Sequence, residues 1–210
     1  MGASLTTEVL RDVIRQLTAQ AESCADELNA LDGTLGDGDL GVTLVRGLRT
    51  VADQADGLPP DLGAALLQCA KALVSLSGST FGTLLATGVM SAAKSAQGRT
   101  EVSWRETAEL LGGAMEAMQH RGKAELGDKT VLDAIAATAE AARRAEEPDG
   151  ILPAALQAAR ETIDQFRDRP ARQGRARMFG ENSVGKDDPG MVAWLRLLEG
   201  LQRAGSDSGS

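Results

Sequence analysis

Aromatic residues are nearly missing from this 210-residue chain: it has no tyrosine, three phenylalanines, two tryptophans and a single histidine. Alternating runs of β-branched and aromatic residues, the mark of a half-buried strand, are correspondingly scarce, so sheet-based folds lose their main support. Cysteine is equally sparse. Cys24 and Cys69 both sit in apolar helical patterns, where a thiol behaves as a small core hydrophobe, and neither a disulfide nor a cysteine metal site is expected. No apolar run approaches the roughly 18 residues that a membrane span needs, and no basic region precedes an apolar core at the N-terminus. A cytoplasmic location without a membrane partner is the expectation. Positive charge is in deficit, with 22 Lys and Arg against 30 Asp and Glu and a net charge of −8, which sets the field against a nucleic-acid backbone.

What remains is alanine and leucine at helical spacing from end to end, which predicts an all-α fold in a single domain over residues 1–204 with a disordered tail, 205–210. From Leu5 to Leu31, the residues Leu10, Val13, Ile14, Leu17, Ala21, Cys24 and Leu28 form one apolar stripe, and the helix should stop at the glycine-rich stretch that follows. A second helix runs from Val42 to about Ala55, and a third starts after Asp61 as N-cap. The fourth carries Phe81, Leu84, Leu85, Val89 and Met90. The fifth opens on Ser103-Trp104-Arg105-Glu106, a capping-box spacing, and ends at Gly122. A sixth follows Thr130, a seventh begins near Ile151 with Pro153 in its first turn, and the last begins at Asp188-Pro189. Short connections imply antiparallel neighbours.

The densest chemistry lies in Asp32-Gly33-Thr34-Leu35-Gly36-Asp37-Gly38-Asp39-Leu40-Gly41, with three carboxylates and four glycines in ten residues. Carboxylates held a few ångströms apart repel, so such a cluster either points into water as a polar turn or surrounds a hard cation. Asp37 and Asp39 are spaced to face one ion from a turn, and Asp32 closes on it from the preceding helix. An all-oxygen donor set favours magnesium over zinc. Two familiar motifs are excluded. Gly36-x-Gly38-x-x-Gly41 fits the dinucleotide fingerprint literally, but no strand precedes it and two of its variable positions are Asp. Asp37-Gly38-Asp39 does not continue as an EF-hand, because Leu48 stands where the bidentate Glu belongs.

Other loops sit at helix entrances. Ser77-Gly78-Ser79-Thr80 offers amides, hydroxyls and a helix dipole to an anion, or is simply a cap. Gly127-Asp128-Lys129-Thr130 is either a plain helix start or one that presents Lys129 as a mobile positive charge. Arg167, Arg169, Arg172, Arg175 and Arg177 make a local basic stretch, which is either a solvated loop or a surface for phosphoryl oxygens. His120, near a helix end, reads as a dipole partner rather than a ligand.

Taken in order, Gly36-Asp37-Gly38-Asp39-Leu40-Gly41, the loop from Ser77 to Gly82, Gly127-Asp128-Lys129-Thr130-Val131-Leu132-Asp133, Gly174-Arg175-Ala176 and Gly185-x-x-Asp188-Pro189-Gly190 resemble the L subunit of dihydroxyacetone kinase. The resemblance implies an eight-helix barrel with ADP or ATP at one rim. It assigns Asp32, Asp37 and Asp39 to two magnesium ions that bridge to the phosphates. Ser77, Gly78, Ser79 and Thr80 match the phosphate-side loop; Gly127, Asp128, Lys129 and Thr130, with Asp188, Pro189 and Gly190, match segments that wall the pocket. Arg175 matches an arginine near the reacting phosphates. Leu40 and Lys186 stand where His is common in that family.

The same resemblance implies a partner, a K-type subunit that holds a small ketose such as dihydroxyacetone on a histidine, and a phosphotransferase-system protein as one source of the phosphoryl group. Without such a partner the chain is expected to bind nucleotide and phosphorylate nothing. The alternative from another class is a nucleotide-loaded regulatory module without turnover. A homodimer is compatible with either.

Overall fold

The computed structural model describes residues 4–74 and 80–207. Among the described residues eight α-helices carry the fold: α1 (Thr7–Leu35), α2 (Leu40–Ala52), α3 (Leu62–Val74), α4 (Thr80–Ser95), α5 (Trp104–Gly122), α6 (Val131–Arg144), α7 (Pro148–Arg167) and α8 (Pro189–Asp207). Each packs against the helix before and the helix after it, and α8 returns to α1, so the ring closes. This is the all-α fold that the helical periodicity predicts, arranged as the eight-helix barrel that the family resemblance implies.

The helix starts follow the local chemistry. Asp61 accepts from the Ala64 amide at 2.7 Å, and Ser103 forms a reciprocal capping box with Glu106. Thr130 does the same with Asp133, and Asp188 accepts from the Met191 amide at 2.8 Å. Each satisfies amides that the first turn leaves without intrahelical partners.

Several boundaries differ from those expected. Leu5 is not helical: Ser4–Thr6 forms a short strand, β1, antiparallel to β2 (Glu101–Ser103), and pairs Leu5 with the buried Val102. Thr6 then caps α1 through the Val9 amide. α1 also continues past Gly33 to Leu35, because Leu35 is buried against Ala171 and Ala176 and its burial outweighs the weak helix propensity of glycine. α7 begins at Pro148, whose missing amide costs nothing at a first helical position, which leaves Pro153 inside the helix. α8 extends to Asp207, past Ala204, where the sequence pattern ended.

Two large apolar clusters fill the ring. One joins α1, α2, α6, α7 and α8 around Leu28, Leu44, Leu156, Met191 and Leu198. The other lies between the first half of α1, α3 and α4, with Ile14, Leu62, Leu66 and Cys69. Burying one such Leu or Ile contributes roughly 1.5–3 kcal/mol, so these clusters set the helix positions on which the loops at the rim depend. Both cysteines are buried and neither forms a disulfide.

Candidate active site at the barrel rim

A cleft opens at one rim of the ring, where α1 gives way to α2, between the starts of α4, α6 and α8 and the irregular segment that leads into α8. Its apolar wall includes Leu40, Phe81, Leu84 and Leu132, and its charged groups are Asp32, Asp37, Asp39, Arg175 and Asp188.

Asp32 sits in the last turn of α1, and its Oδ2 accepts from the amides of Gly38 at 2.9 Å and Asp39 at 3.1 Å. The carboxylate therefore folds the loop back over the helix end. Gly38 takes a positive φ of 77°, which an L side chain rarely adopts. A Cβ on Gly36 would run into the Asp32 carboxyl group. As a result, oxygen atoms of Asp32, Asp37 and Asp39 all lie within 4.8 Å of one another. Asp37 is ion-paired with Arg175 across the cleft.

Asp39 stands at the N-cap position of α2, yet its side chain makes no capping bond. Asn29, one turn before Asp32 on α1, accepts instead from the amides of Gly41 at 2.8 Å and Val42 at 3.2 Å. The cap comes from a neighbouring helix, and the Asp39 carboxylate stays with the cluster. Gly41 has a different task from the other glycines: a Cβ there would overlap the backbone of Ala25, so it permits the close crossing of α1 and α2. Neither role was visible in the sequence, where Asn29 is one polar residue of an amphipathic helix.

A cluster of three carboxylates with only oxygen donors, largely open to solvent, suits a hard divalent cation. The donor set fits magnesium, and Arg175 balances only part of the negative charge.

The other expected residues divide. Thr80, Thr130, Asp188, Pro189 and Gly190 line the cleft. Ser77, Gly78 and Ser79 lie outside the described residues. Gly127 and Asp128 do not line the cleft. Gly127 donates its amide to Asp133, while Asp128 accepts from the Glu125 amide through its carboxylate and from the Arg172 amide through its carbonyl.

Lys129 is neither exposed nor among the residues that line the cleft. It is 1% exposed, with φ at 63°, and its ammonium donates to the carbonyls of Arg167 at 3.0 Å, Arg169 at 2.8 Å and Ser183 at 2.8 Å. Burial lowers its pKa from the usual lysine value, against the pull of Asp188, Asp187 and Asp168.

The basic stretch also resolves into separate roles. Arg167 pairs with Asp187 and Asp164, and Arg169 lies over the Phe166 ring at 4.4 Å. Of the five arginines, Arg175 is the one that lines the cleft. Asp188, half-buried between the starts of α6 and α8, is pushed up to about 7, first by burial and also by Asp133, against the Met191 amide and Lys129.

Comparison with known proteins follows the same outline. The DAK2 domain family matches residues 34–203. The chain is 34% identical over 206 residues to the ADP-binding subunit DhaL of PEP-dependent dihydroxyacetone kinase 2 from Listeria innocua, covering 91% of this chain and 94% of that one. It is 30% identical to the corresponding DhaL subunit of Escherichia coli, covering 87% and 90%. A match at 31% to L-erythrulose 1-kinase from Mycolicibacterium smegmatis covers 92% of this chain but 35% of that enzyme. Among solved structures, the dihydroxyacetone kinase of C. freundii in complex with AMP-PNP and Mg2+ superposes with a TM-score of 0.73 at 22% identity, over 94% of this chain and 34% of that one, and shares its fold. With that match over most of its length, the chain belongs to the DAK2-domain family, which includes the DhaL subunits of dihydroxyacetone kinases.

Proposed function

We propose that this chain is the nucleotide-holding subunit of a dihydroxyacetone-kinase-type phosphotransferase, with ADP or ATP in the rim cleft and its phosphates at the aspartate cluster. The observation that carries this reading is the convergence of Asp32, Asp37 and Asp39 within 4.8 Å, opposite an arginine and beside an apolar wall. Three clustered carboxylates repel a phosphate chain unless cations intervene, so the reading assigns them two magnesium ions. Bound there, magnesium would neutralise phosphate charge and hold the phosphoryl group in line.

The chain's own residues supply the rest. Asp32 fixes the loop through the Gly38 and Asp39 amides, which keeps Asp37 and Asp39 aimed at one point. Arg175 faces the same point with a planar set of donors suited to phosphoryl oxygens. Leu40, Phe81 and Leu84 offer an apolar surface to the base and exclude water from one side. Thr80 and Thr130, with Asp188, Pro189 and Gly190, complete the wall, and Ser77, Gly78 and Ser79 are assigned to the phosphate side with Thr80.

The acceptor is a small ketose presented by a K-type subunit. Its identity rests on that partner: relatives are named as dihydroxyacetone kinases and as an L-erythrulose kinase. A phosphotransferase-system protein fits as the donor that restores the nucleotide, since relatives are described as PEP-dependent or PTS-dependent. Alone, the subunit binds nucleotide without turnover.

Calorimetric titration with ADP and with ATP, with magnesium and with chelator, tests this reading. Magnesium-dependent binding should weaken by about 100-fold or more in Asp37→Ala, on the order of 2.7 kcal/mol. Wild-type protein that binds neither nucleotide, and carries none through purification, would exclude the phosphotransferase reading. Retained ADP without turnover alongside any K-type subunit would point to the regulatory module.

A further inference from the structure

Lys129 is a fully buried lysine whose partners are all backbone carbonyls. Arg167 and Arg169 lie where the irregular segment leaves α7, and Ser183 lies where that segment turns back toward α8. One ammonium thus ties both ends of the segment that carries Arg175. Its three N–H bonds are all used, at 2.8–3.0 Å, which sets the separation of the two ends.

Other contacts brace the same segment. Ser183 Oγ accepts from the Ala171 amide at 2.8 Å and donates to the Gly180 carbonyl at 2.6 Å. The Arg172 amide donates to the Asp128 carbonyl at 3.0 Å, and the Gly185 amide to Arg167 at 2.9 Å. On the opposite side Lys129 leads directly into Thr130, the cap of α6, which lines the cleft. An ammonium in so buried a place carries a desolvation cost, which its three carbonyl partners offset and which an apolar side chain would exchange for three unsatisfied carbonyls. What the ammonium adds is a defined geometry between two chain segments.

We infer that Lys129 is a positioning residue: by stapling residues 167–169 to Ser183 it holds Arg175 opposite the aspartate cluster, and it does not touch nucleotide. The inference deepens the proposed function and rests on it for the role of Arg175, whereas the staple itself is a property of the unliganded chain.

Three readouts test it in Lys129→Met, with Ser183→Ala as the milder second variant and Lys129→Arg as the conservative one. Hydrogen exchange on the unliganded protein should show loss of protection at Ala171 and Arg172 while α1 and α8 stay protected. Titration with magnesium and ADP should leave Kd within about threefold, because the aspartates and the apolar wall are untouched. The 31P resonance of the β-phosphate of bound ADP should move as it does in Arg175→Gln, with no further movement in the double variant. Lys129→Arg should restore part of the wild-type signal.

Unchanged protection in Lys129→Met would overturn the staple, whatever Ser183→Ala does to the Ala171 amide that its hydroxyl holds directly. A fall in ADP affinity of about tenfold or more in Lys129→Met, or 31P shifts that add to those of Arg175→Gln, would overturn the positioning role in favour of direct contact. Failure of the wild type to bind ADP would instead remove the functional reading, while the exchange result would still decide the staple.

Discussion

The two lips of the cleft are fixed by opposite chemistry. On the aspartate side, acceptors on α1 collect backbone N–H groups: Asp32 takes those of Gly38 and Asp39, and Asn29 takes those of Gly41 and Val42. On the arginine side, a donor collects carbonyls, with Lys129 holding Arg167, Arg169 and Ser183. The first lip is shallow and largely exposed, and water can replace what a mutation removes. The second is buried, and water cannot. Two ways of fixing an irregular backbone therefore differ in what they cost when broken.

That contrast orders the expected effects. The largest belongs to a steric requirement of the aspartate side: Gly41→Ala drives a methyl group into the Ala25 backbone, which cannot move aside as a side chain would. A loss of about 3 kcal/mol or more is expected, read as a fall in Tm of roughly 6–12 °C. Next comes Lys129→Met, which strands three carbonyls in a dry site and should cost roughly 2–4 kcal/mol in urea denaturation. Asn29→Ala should cost only about 1 kcal/mol, the usual cost of losing a helix N-cap, since Val42 is exposed and water can replace the acceptor of its amide. Its larger effect should be a several-fold weaker magnesium-dependent ADP affinity as Asp39 is drawn to the vacated cap. A reversed order for Lys129→Met and Asn29→Ala would break the comparison.

The same contrast explains what could be read from the sequence. The helices, and the caps at Asp61, Ser103, Thr130 and Asp188, follow from contacts within three or four residues, and local pattern encodes such contacts. The three aspartates were legible because their density within one short stretch has few structural explanations. Asn29 caps a helix that begins eleven residues after it, and Lys129 reaches carbonyls 38 to 54 residues away. Nothing near Lys129 distinguishes a buried lysine from an exposed one, and a polar Gly-Asp-Lys-Thr loop argues for exposure. The β1–β2 pairing was hidden for a related reason, since each strand spans only three residues and is made a strand by its partner.

The last expected effect concerns pH and is read as a slope rather than as a loss at one pH. Asp188 joins the two regions, since it lines the cleft, caps α8 and lies near both Lys129 and Asp133. Burial raises its pKa from 3.8 to about 7 in the folded chain. Between these values the unfolded chain has released the proton while the folded chain keeps it, so the folded state binds more protons and stability falls as pH rises across that window. The stabilising contribution is fully present below about pH 4 and is lost as pH passes through about 7. Asp188→Asn keeps an oxygen for the Met191 amide and removes the titration. Its unfolding free energy, followed by urea denaturation at intervals from pH 4.5 to 8, should decline less steeply with pH than that of the wild type. Parallel profiles for the two proteins would mean that Asp188 is hydrated and ionised in the unliganded cleft, which would then be a wet mouth on both sides rather than one exposed lip facing one dry one.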